Sequence, residues 1–230
     1  GLIVQIMNIG DFVNYGNNNA EKYPIYGKEE YTDIDSTYYK KLSITNNGVT
    51  ACPKNRLSYE VIWDKKCTKR NIFILFNPSI ANSDILDETL KNCVRICYAL
   101  ENSNKKDQCG GMIIFNTFTI RHPQIEDAIK LIDYKYEQKN NPIFQLAKYY
   151  QDNISKLIIA WGNDAKIKLD KDYYNCLIKL ISEIKEKQHK VYAYKINTSG
   201  AKQPSHPSPR CTKWVKQFCE NPRLTEINFN

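Results

Sequence analysis

The chain has 230 residues, of which 42% are hydrophobic and 25% are charged. These values are typical of one globular domain with a sizeable core, and no apolar run approaches the roughly 20 residues that a membrane-spanning helix needs. The first ten residues lack the basic lead and cleavage site of a secretory signal, so we expect a cytoplasmic protein that does not bind a membrane.

The formal net charge is +8. Such an excess of positive charge favours a polyanionic partner, and nucleic acid is the commonest. It also fits a generally basic protein in which Lys, Asn, Ile and Tyr are abundant, so the charge alone leaves both interpretations open.

Eight cysteines are present, and no two of them form a CxxC pair. A zinc ribbon or a simple iron–sulfur motif is therefore not indicated. We interpret the cysteines as buried thiols in a reducing compartment rather than as metal ligands, and we expect neither a metal site nor a cofactor.

Residues 1–50 are polar, rich in Tyr and Asn and weakly periodic, which predicts an N-terminal appendage to a domain of residues 51–230. The domain opens with RLSYEVIW at 56–63, whose alternation predicts a strand. The continuous apolar run NIFILF at 71–76 is typical of a strand covered on both faces.

Helices then alternate with further strands. Asp87 is placed to cap a helix that runs to about residue 101, with apolar residues at helical spacing. Short apolar strands that alternate with helices predict an α/β fold with a central, largely parallel sheet of four strands. The other strands are predicted at 110–116, 156–162 and 190–196, and the other helices at 124–132, 142–151 and 172–187.

A polar, turn-forming cluster follows each of the four apolar strands. Because ligands of open α/β sheets bind beyond the carboxyl ends of the strands, four such clusters predict one shared site. Three prolines restrict the loop around His206, as expected if its imidazole is held against a ligand; a proline-rich surface turn is the alternative. The clusters are Asn77-Pro78-Ser79, Asn116-Thr117, Trp161-Gly162-Asn163 and the loop SHPSP at 205–209.

These motifs resemble those of the uracil-DNA glycosylase superfamily and occur in the expected order. FNPSIAN is similar to the Asn-Pro turn of the mismatch-specific branch, and IIFNTFTIR to the strand that ends in a base-reading Asn. WGNDAKIK is similar to the Trp-Gly-x-x-Ala-x-x-Lys segment, and SHPSP to the His-Pro-Ser-Pro loop that closes the site.

A family of bacterial and phage proteins related to that superfamily is more similar still. Its pattern has a strand with Tyr and Trp (here SYEVIWD), then Asn-Pro-Ser, Asp-x-Thr (Asp87-Glu88-Thr89), a strand ending in Asn and a late His-Pro. The resemblance covers roughly residues 56–210. It implies a three-layer α/β/α fold of the uracil-DNA glycosylase type.

The resemblance implies a monofunctional DNA glycosylase that flips a base out of double-stranded DNA and hydrolyses its glycosidic bond. Asn77 matches the position that orients water, and Asp84 or Asp87 is the candidate general base if the amide does not suffice. His206 would donate to the base carbonyl as negative charge develops on the base. Asp87 has a plainer interpretation as a helix cap.

The base pocket is assigned to Asn116, Ile80 and Trp161. An amide offers both a donor and an acceptor to a base edge, and Trp161 is either a wall of this pocket or core packing. The superfamily's uracil-specific enzymes exclude thymine with a Tyr in the first motif, whereas Ile80 and Ala81 leave room here. A modified pyrimidine, including a hypermodified phage base, is therefore the expected substrate, which would give a role in anti-phage defence.

Contacts with the DNA backbone are assigned to five residues of the two turn motifs and their neighbours. Arg210 stands where the superfamily places a wedging Leu, so its contact with DNA is expected to differ. No obligate protein partner is indicated. The five residues are Ser79, Ser205, Ser208, Arg210 and Lys213.

Two other functions remain open from the sequence. The same fold would serve as a base-binding or nucleic-acid-binding module without catalysis, which the lack of a clear carboxylate in the first motif favours. A hydrolase or transferase of free nucleotides or nucleosides is the second alternative; it should depend little on salt, whereas DNA binding should weaken steeply with salt.

Overall fold

The computed structural model describes residues 26–33, 44–46, 49–51, 54–64, 66–78, 87–122, 124–149 and 153–229. Within these ranges the strands form one eight-stranded sheet and one hairpin of β2 (Ile44–Asn46) and β3 (Val49–Ala51). The strands of the large sheet are β1 (Tyr26–Asp33), β4 (Lys54–Ile62), β5 (Arg70–Leu75), β6 (Gly111–Asn116), β7 (Ile120–Arg121), β8 (Ile154–Ile159), β9 (Val191–Ala193) and β10 (Thr225–Glu226).

The large sheet has the order β1-β4-β6-β5-β8-β9-β10, and β7 pairs with β4. The neighbours β6, β5, β8 and β9 run parallel, whereas β1, β4, β7 and β10 pair antiparallel. The α/β class is confirmed, but the prediction of a largely parallel sheet of four strands is wrong. The edge strands escaped prediction because β1 reads YGKEEYTD and β10 has two exposed residues, so neither carries an apolar pattern.

Helices connect the parallel strands. None of those in the described ranges is both long enough and apolar enough to cross a membrane. The α-helices are α1 (Glu88–Ser103), α2 (Ile125–Lys130), α3 (Tyr134–Asn140), α4 (Leu146–Tyr149), α5 (Asp164–Lys168), α6 (Lys171–Glu186) and α7 (Thr212–Glu220), with short 3-10 turns at Lys105–Asp107, Pro142–Gln145 and Pro209–Cys211.

Helices cover both faces of the sheet. Along β5, Phe73 and Leu75 face the layer of α1 and α7, while Ile72 and Ile74 face the layer that includes α2 and α6. These alternating side chains are at most 3% exposed. A strand buried on both faces explains the continuous apolar run that marks β5 in the sequence.

Local capping explains where the two long helices begin. The Asp87 carboxylate accepts a hydrogen bond from the Leu90 amide at 2.8 Å, and Asp170 accepts one from the Tyr173 amide at 3.1 Å. Such caps satisfy amides that the first helical turn leaves unpaired. The helix predicted at 142–151 is instead a 3-10 turn followed by the short α4.

The pairing of β1 with β4 joins residues 26–33 to the large sheet. The assignment of residues 1–50 to an appendage separate from a domain of residues 51–230 stays a prediction.

Candidate functional site

A cleft of about 680 Å³ opens at the carboxyl edge of β5 and β8. Of the predicted site residues, Asn77, Trp161, Ser205, His206, Ser208 and Arg210 line it. A second cleft of about 710 Å³ lies between α1 and α7, around Tyr98, Lys216 and Pro222, and no predicted site residue lines that one.

The topology of the sheet creates the opening. After β5 the chain crosses to β6 on one side, whereas β8 lies on the other side of β5, so the loops after β5 and β8 diverge. Backbone bonds hold the strand ends level: the Thr117 amide donates to the Leu75 carbonyl and the Ala160 amide to the Ile74 carbonyl, both at 2.9 Å. The cleft therefore occupies the position where α/β sheets bind ligands.

His206 approaches the turn after β8 closely. The Gly162 amide donates to the Pro204 carbonyl at 2.8 Å. A Cβ placed on Gly162 would lie 3.1 Å from the His206 Cβ, and Gly162 has a φ of 73°. Both the left-handed backbone and the close approach require glycine here.

The imidazole of His206 is half-buried and neutral near pH 7. Desolvation lowers the pKa of His206 to about 4, although the negative charges of Asp87 and Asp164 act in the opposite direction. No side chain in the described ranges hydrogen-bonds a ring nitrogen of His206. Its one N–H donor and one acceptor are therefore available to a ligand.

The backbone of the His206 loop is fixed from two sides. The Tyr194 hydroxyl donates to the Ser205 Oγ at 3.1 Å and to the His206 carbonyl at 3.3 Å. From α1, the Asn92 amide donates to the Pro207 carbonyl at 2.9 Å and to the Thr212 Oγ1 at 3.0 Å. Ser205 is 1% exposed, so its hydroxyl supports the loop from the interior, whereas Ser208 is half-buried at the cleft.

An ion pair in α1 holds Asn92 in turn. Arg95 donates to the Asn92 Oδ1 at 2.6 Å and to the Glu88 Oε1 at 2.7 Å. Asn92 is fully buried. Because Arg95 donates to the Asn92 Oδ1, the Asn92 side chain is oriented so that its amide nitrogen points to the His206 loop.

Asn77 lies at the cleft with a free acceptor. Its amide nitrogen donates to the Pro78 carbonyl at 3.2 Å. In the described part of the chain its Oδ1 accepts no hydrogen bond, so this oxygen is available to a water molecule or a ligand.

Asn116 ends β6 next to this turn, but it does not line the cleft. It pairs with Leu75 and is 1% exposed. Neither polar atom of its amide has a hydrogen-bond partner among the described residues. A buried unpaired amide costs about 1–3 kcal/mol, so this orientation is unfavourable unless a ligand completes it.

A buried carboxyl lies behind Asn116. Glu137 Oε1 accepts from the Thr119 amide at 2.9 Å and from its hydroxyl at 2.7 Å. The Asn141 amide donates to Glu137 Oε2 at 3.3 Å and to the Asn116 carbonyl at 2.9 Å. Desolvation raises the pKa of Glu137 to about 7 against the opposing effect of these donors.

The remaining predicted residues lie in different surroundings. Asp87 caps α1 and acts on His206 only through its charge. Trp161 is fully buried, stacks on Phe229 and donates to Gln203 at 3.0 Å, so it is both core and cleft wall. Lys213 is exposed on α7. Ser79, Ile80 and Asp84 lie outside the described residues.

Sequence reasoning gave no individual role to Asp164 and Lys168, and it placed Asn163 at the site only as part of a polar cluster. Asp164 and Lys168 line the cleft and lie 3.5 Å apart as an ion pair. The Asn163 Oδ1 accepts from the Gln203 amide at 3.0 Å and so ties the turn after β8 to the His206 loop. Both Asn163 and Asp164 fall inside the WGNDAKIK motif, which was the available signal. The described residues contain no group of three His, Cys, Asp or Glu side chains able to hold a metal ion.

The fold and the cleft define an α/β protein with helices on both faces of its sheet and a cleft, the candidate ligand site, at the point where the strand order reverses. Sequence comparison is more specific: residues 56–208 match the family described as "Protein of unknown function (DUF1643)", and the chain belongs to this family.

A search of curated proteins finds no match. Among solved structures, the chain is similar to the crystal structure of a Zn-dependent exopeptidase from Parabacteroides distasonis ATCC 8503. The identity is 10%, the alignment covers 99% of this chain and 86% of that chain, and the TM-score is 0.29. A likeness at this score carries no argument about fold or function.

We expect Asn92→Ala to destabilise the protein by about 1–3 kcal/mol, because it leaves the Pro207 carbonyl and Arg95 without their buried partner. Asn102→Ala, at an exposed position of the same helix, is the matched control and should change stability by less than about 0.5 kcal/mol. Urea unfolding measures both. Equal losses in the two variants would contradict the role of Asn92.

We expect Glu137→Gln to remove a pH dependence of stability. Folded Glu137 keeps its proton up to about pH 7, whereas the unfolded side chain releases it near 4.5, so wild-type stability falls as the pH rises through this window. Whatever the effect of the substitution at pH 5, the free energy of unfolding of the variant minus that of wild type should increase by about 2–3 kcal/mol between pH 5 and pH 8.

Urea unfolding at several pH values measures this difference, with Glu183→Gln on the exposed face of α6 as control. A constant difference between Glu137→Gln and wild type across the range would show that the carboxyl titrates normally.

Proposed function

We propose that the protein is a monofunctional DNA glycosylase that acts on a modified pyrimidine in double-stranded DNA. One observation carries the proposal: a neutral, rigidly held His206 and the free acceptor of Asn77 line one cleft at the reversal of the strand order. The volume of about 680 Å³ lies within the range of small-molecule sites. The net charge of +8 suits a DNA partner.

The proposed reaction is hydrolysis of the bond between the sugar C1′ and the base nitrogen. The bonding electron pair leaves with the base, water adds to C1′, and the proton of that water passes to the solvent. Negative charge grows on the base carbonyl as the bond breaks. A neutral His206 that donates a hydrogen bond to this oxygen would stabilise the transition state without first having to gain a proton.

Asn77 would orient the attacking water through its free Oδ1. An amide cannot accept the proton, so the site needs either an activated leaving group or a nearby carboxylate. Asp164 lines the cleft and carries a negative charge that suits the oxocarbenium character of the sugar, and Asp84 stays a candidate from the sequence. Asp87 is engaged as a helix cap, which disfavours it as a base.

Asn116 would read the base edge in this proposal. Because Asn116 is buried beside the cleft rather than lining it, this role requires the cleft to open toward β6; a base that then reached the amide would satisfy a buried donor and a buried acceptor together. Ser208 and Arg210 at the rim would contact phosphate. Action on hypermodified phage DNA would place the protein in anti-phage defence, in the cytoplasm where such DNA arrives.

A base-binding module without catalysis is the second candidate. The observation that favours it is the state of Asp87, whose carboxylate is occupied at the helix start, while Asn77 at the cleft cannot take a proton. Under this function DNA would bind with the base flipped, and no abasic site would form.

The test uses duplexes with modified pyrimidines, including phage DNA with hypermodified cytosine, followed by alkali to reveal abasic sites. His206→Ala should lower the single-turnover rate by about 10²–10³-fold, as for loss of an oxyanion donor. Asn77→Ala should also lower it, whereas His189→Ala, outside the cleft, should not. Wild-type protein that binds these duplexes without producing abasic sites would favour the base-binding module. Wild-type protein that neither binds the duplexes nor produces abasic sites would reject both functions.

The pH dependence gives a separate prediction. Because the pKa of His206 is about 4, its imidazole stays neutral above about pH 5 and gains a proton only in more acidic solution. The ratio of wild-type to His206→Ala rates should therefore stay constant from pH 5.5 to 8.5. A ratio that changes tenfold with a midpoint near 6.5 would mean that the imidazole titrates as in water.

A further inference from the structure

Two lysines from different elements converge on one indole beside the cleft. Lys195 Nζ lies 4.8 Å from the centroid of the Trp214 ring, and Lys213 Nζ lies 4.6 Å from it. Trp214 is partly buried and packs against the core formed by α1 and α7. The indole is therefore a fixed support that has both ammonium groups within 5 Å of its centre.

Neither lysine has an acidic partner among the residues that the structure describes. The salt bridges of the described residues lie elsewhere in the fold, and none involves Lys195, Lys213 or Arg210. Lys195 Nζ also donates to the Ile196 carbonyl at 3.5 Å, a contact that leaves its positive charge uncompensated. An anion bound beside the indole would therefore face two positive charges, which the ring quadrupole does not neutralise.

The pair does not line the cleft, but the backbone connects both lysines to segments that do. The Lys195 carbonyl accepts the Ser205 amide at 2.8 Å, next to His206. Arg210 lines the cleft and is exposed, and α7, which carries Lys213 and Trp214, begins two residues later. A strand of nucleic acid whose base occupied the cleft would thus bring its neighbouring phosphates to these cations.

We propose that Lys195, Lys213 and Trp214 form a phosphate-binding surface that holds the nucleic-acid backbone beside the cleft. The proposal rests on the proposed function for the identity of the polyanion, and it adds Lys195 and Trp214 to the contacts. Lysines bind phosphate as point charges, and each neutralised phosphate releases a counterion.

A nucleic acid fits this surface better than an anionic membrane. Membrane-surface binding needs an apolar side chain to enter the lipid as well as cationic charge. The large apolar side chains that are exposed in the described ranges are Ile125 and Ile167, and neither lies beside Trp214 in sequence or packs with it. Trp214 itself is held by the core.

The experiment measures binding of a fluorescently labelled 20-base-pair duplex without any modified base, by anisotropy, between 50 and 300 mM salt. The test variant is Lys195→Glu/Lys213→Glu. The control is Lys179→Glu/Lys187→Glu, which changes the net charge equally at exposed positions of α6 and its end. Circular dichroism and urea unfolding verify that each variant folds.

The affinity of the test variant for the duplex should be at least about tenfold lower than that of wild type, whereas the control should lose less than about threefold. The magnitude of the slope of log K against log salt should decrease by about 2 in the test variant. Trp214→Leu keeps both charges but removes their support, so an intermediate loss is expected. Equal losses of affinity in the test and control variants would show that only the net charge matters, and would overturn the proposal. A wild-type protein that does not bind the duplex would overturn it as well.

Binding to lipid vesicles with and without phosphatidylserine tests the alternative that the surface binds an anionic membrane. Tighter binding to the anionic vesicles than to the duplex, lost in the test variant, would overturn the assignment to nucleic acid. Because the readout is binding to unmodified DNA, it is independent of catalysis. If the test variant loses binding and the wild-type protein produces no abasic sites, the phosphate-binding surface is supported and the glycosylase function is rejected.

Discussion

The reversal of strand order around β5 is the constraint on which the site depends. β6 and β8 flank β5 on opposite sides, so the loops after β5 and β8 must diverge and leave an opening at the sheet edge. Backbone bonds keep the strand ends level, and the identity of the side chains then decides only what the opening binds. Asn77 and His206 face the same space for this reason, although 129 positions of sequence separate them.

Side-chain amides stabilise the loops that border this opening. Irregular backbone inside a fold leaves polar groups that regular structure cannot pair. Asn92 supplies the missing donor to the His206 loop, and Asn163 supplies an acceptor to the same loop from the opposite side. Gly162 removes the side chain that would otherwise keep the two segments apart. The site is thus held partly by residues of the predicted motifs, Gly162 and Asn163, and partly by Asn92, which lies outside them.

Much of the framework could be predicted because its signals are local. The apolar run of β5, the cap at Asp87 and the polar turn after each strand are all readable within a few residues. The antiparallel edge strands, Glu137 and Asn92 could not be predicted, because short polar strands lack a pattern and buried polar groups are defined by partners distant in sequence. α7 was missed for a similar reason, since it buries only Val215 and Phe218.

The bond from Asn92 to the Pro207 carbonyl spans 115 positions, which bears on how the protein acquires its site during synthesis. Local helices and the β5–β6 pair can form early, but loop closure over such a separation must wait for the segment that follows β9. A nascent chain therefore has a sheet edge without a complete cleft until the segment around Pro207 has left the ribosome. The cleft is completed later than the strands that it adjoins.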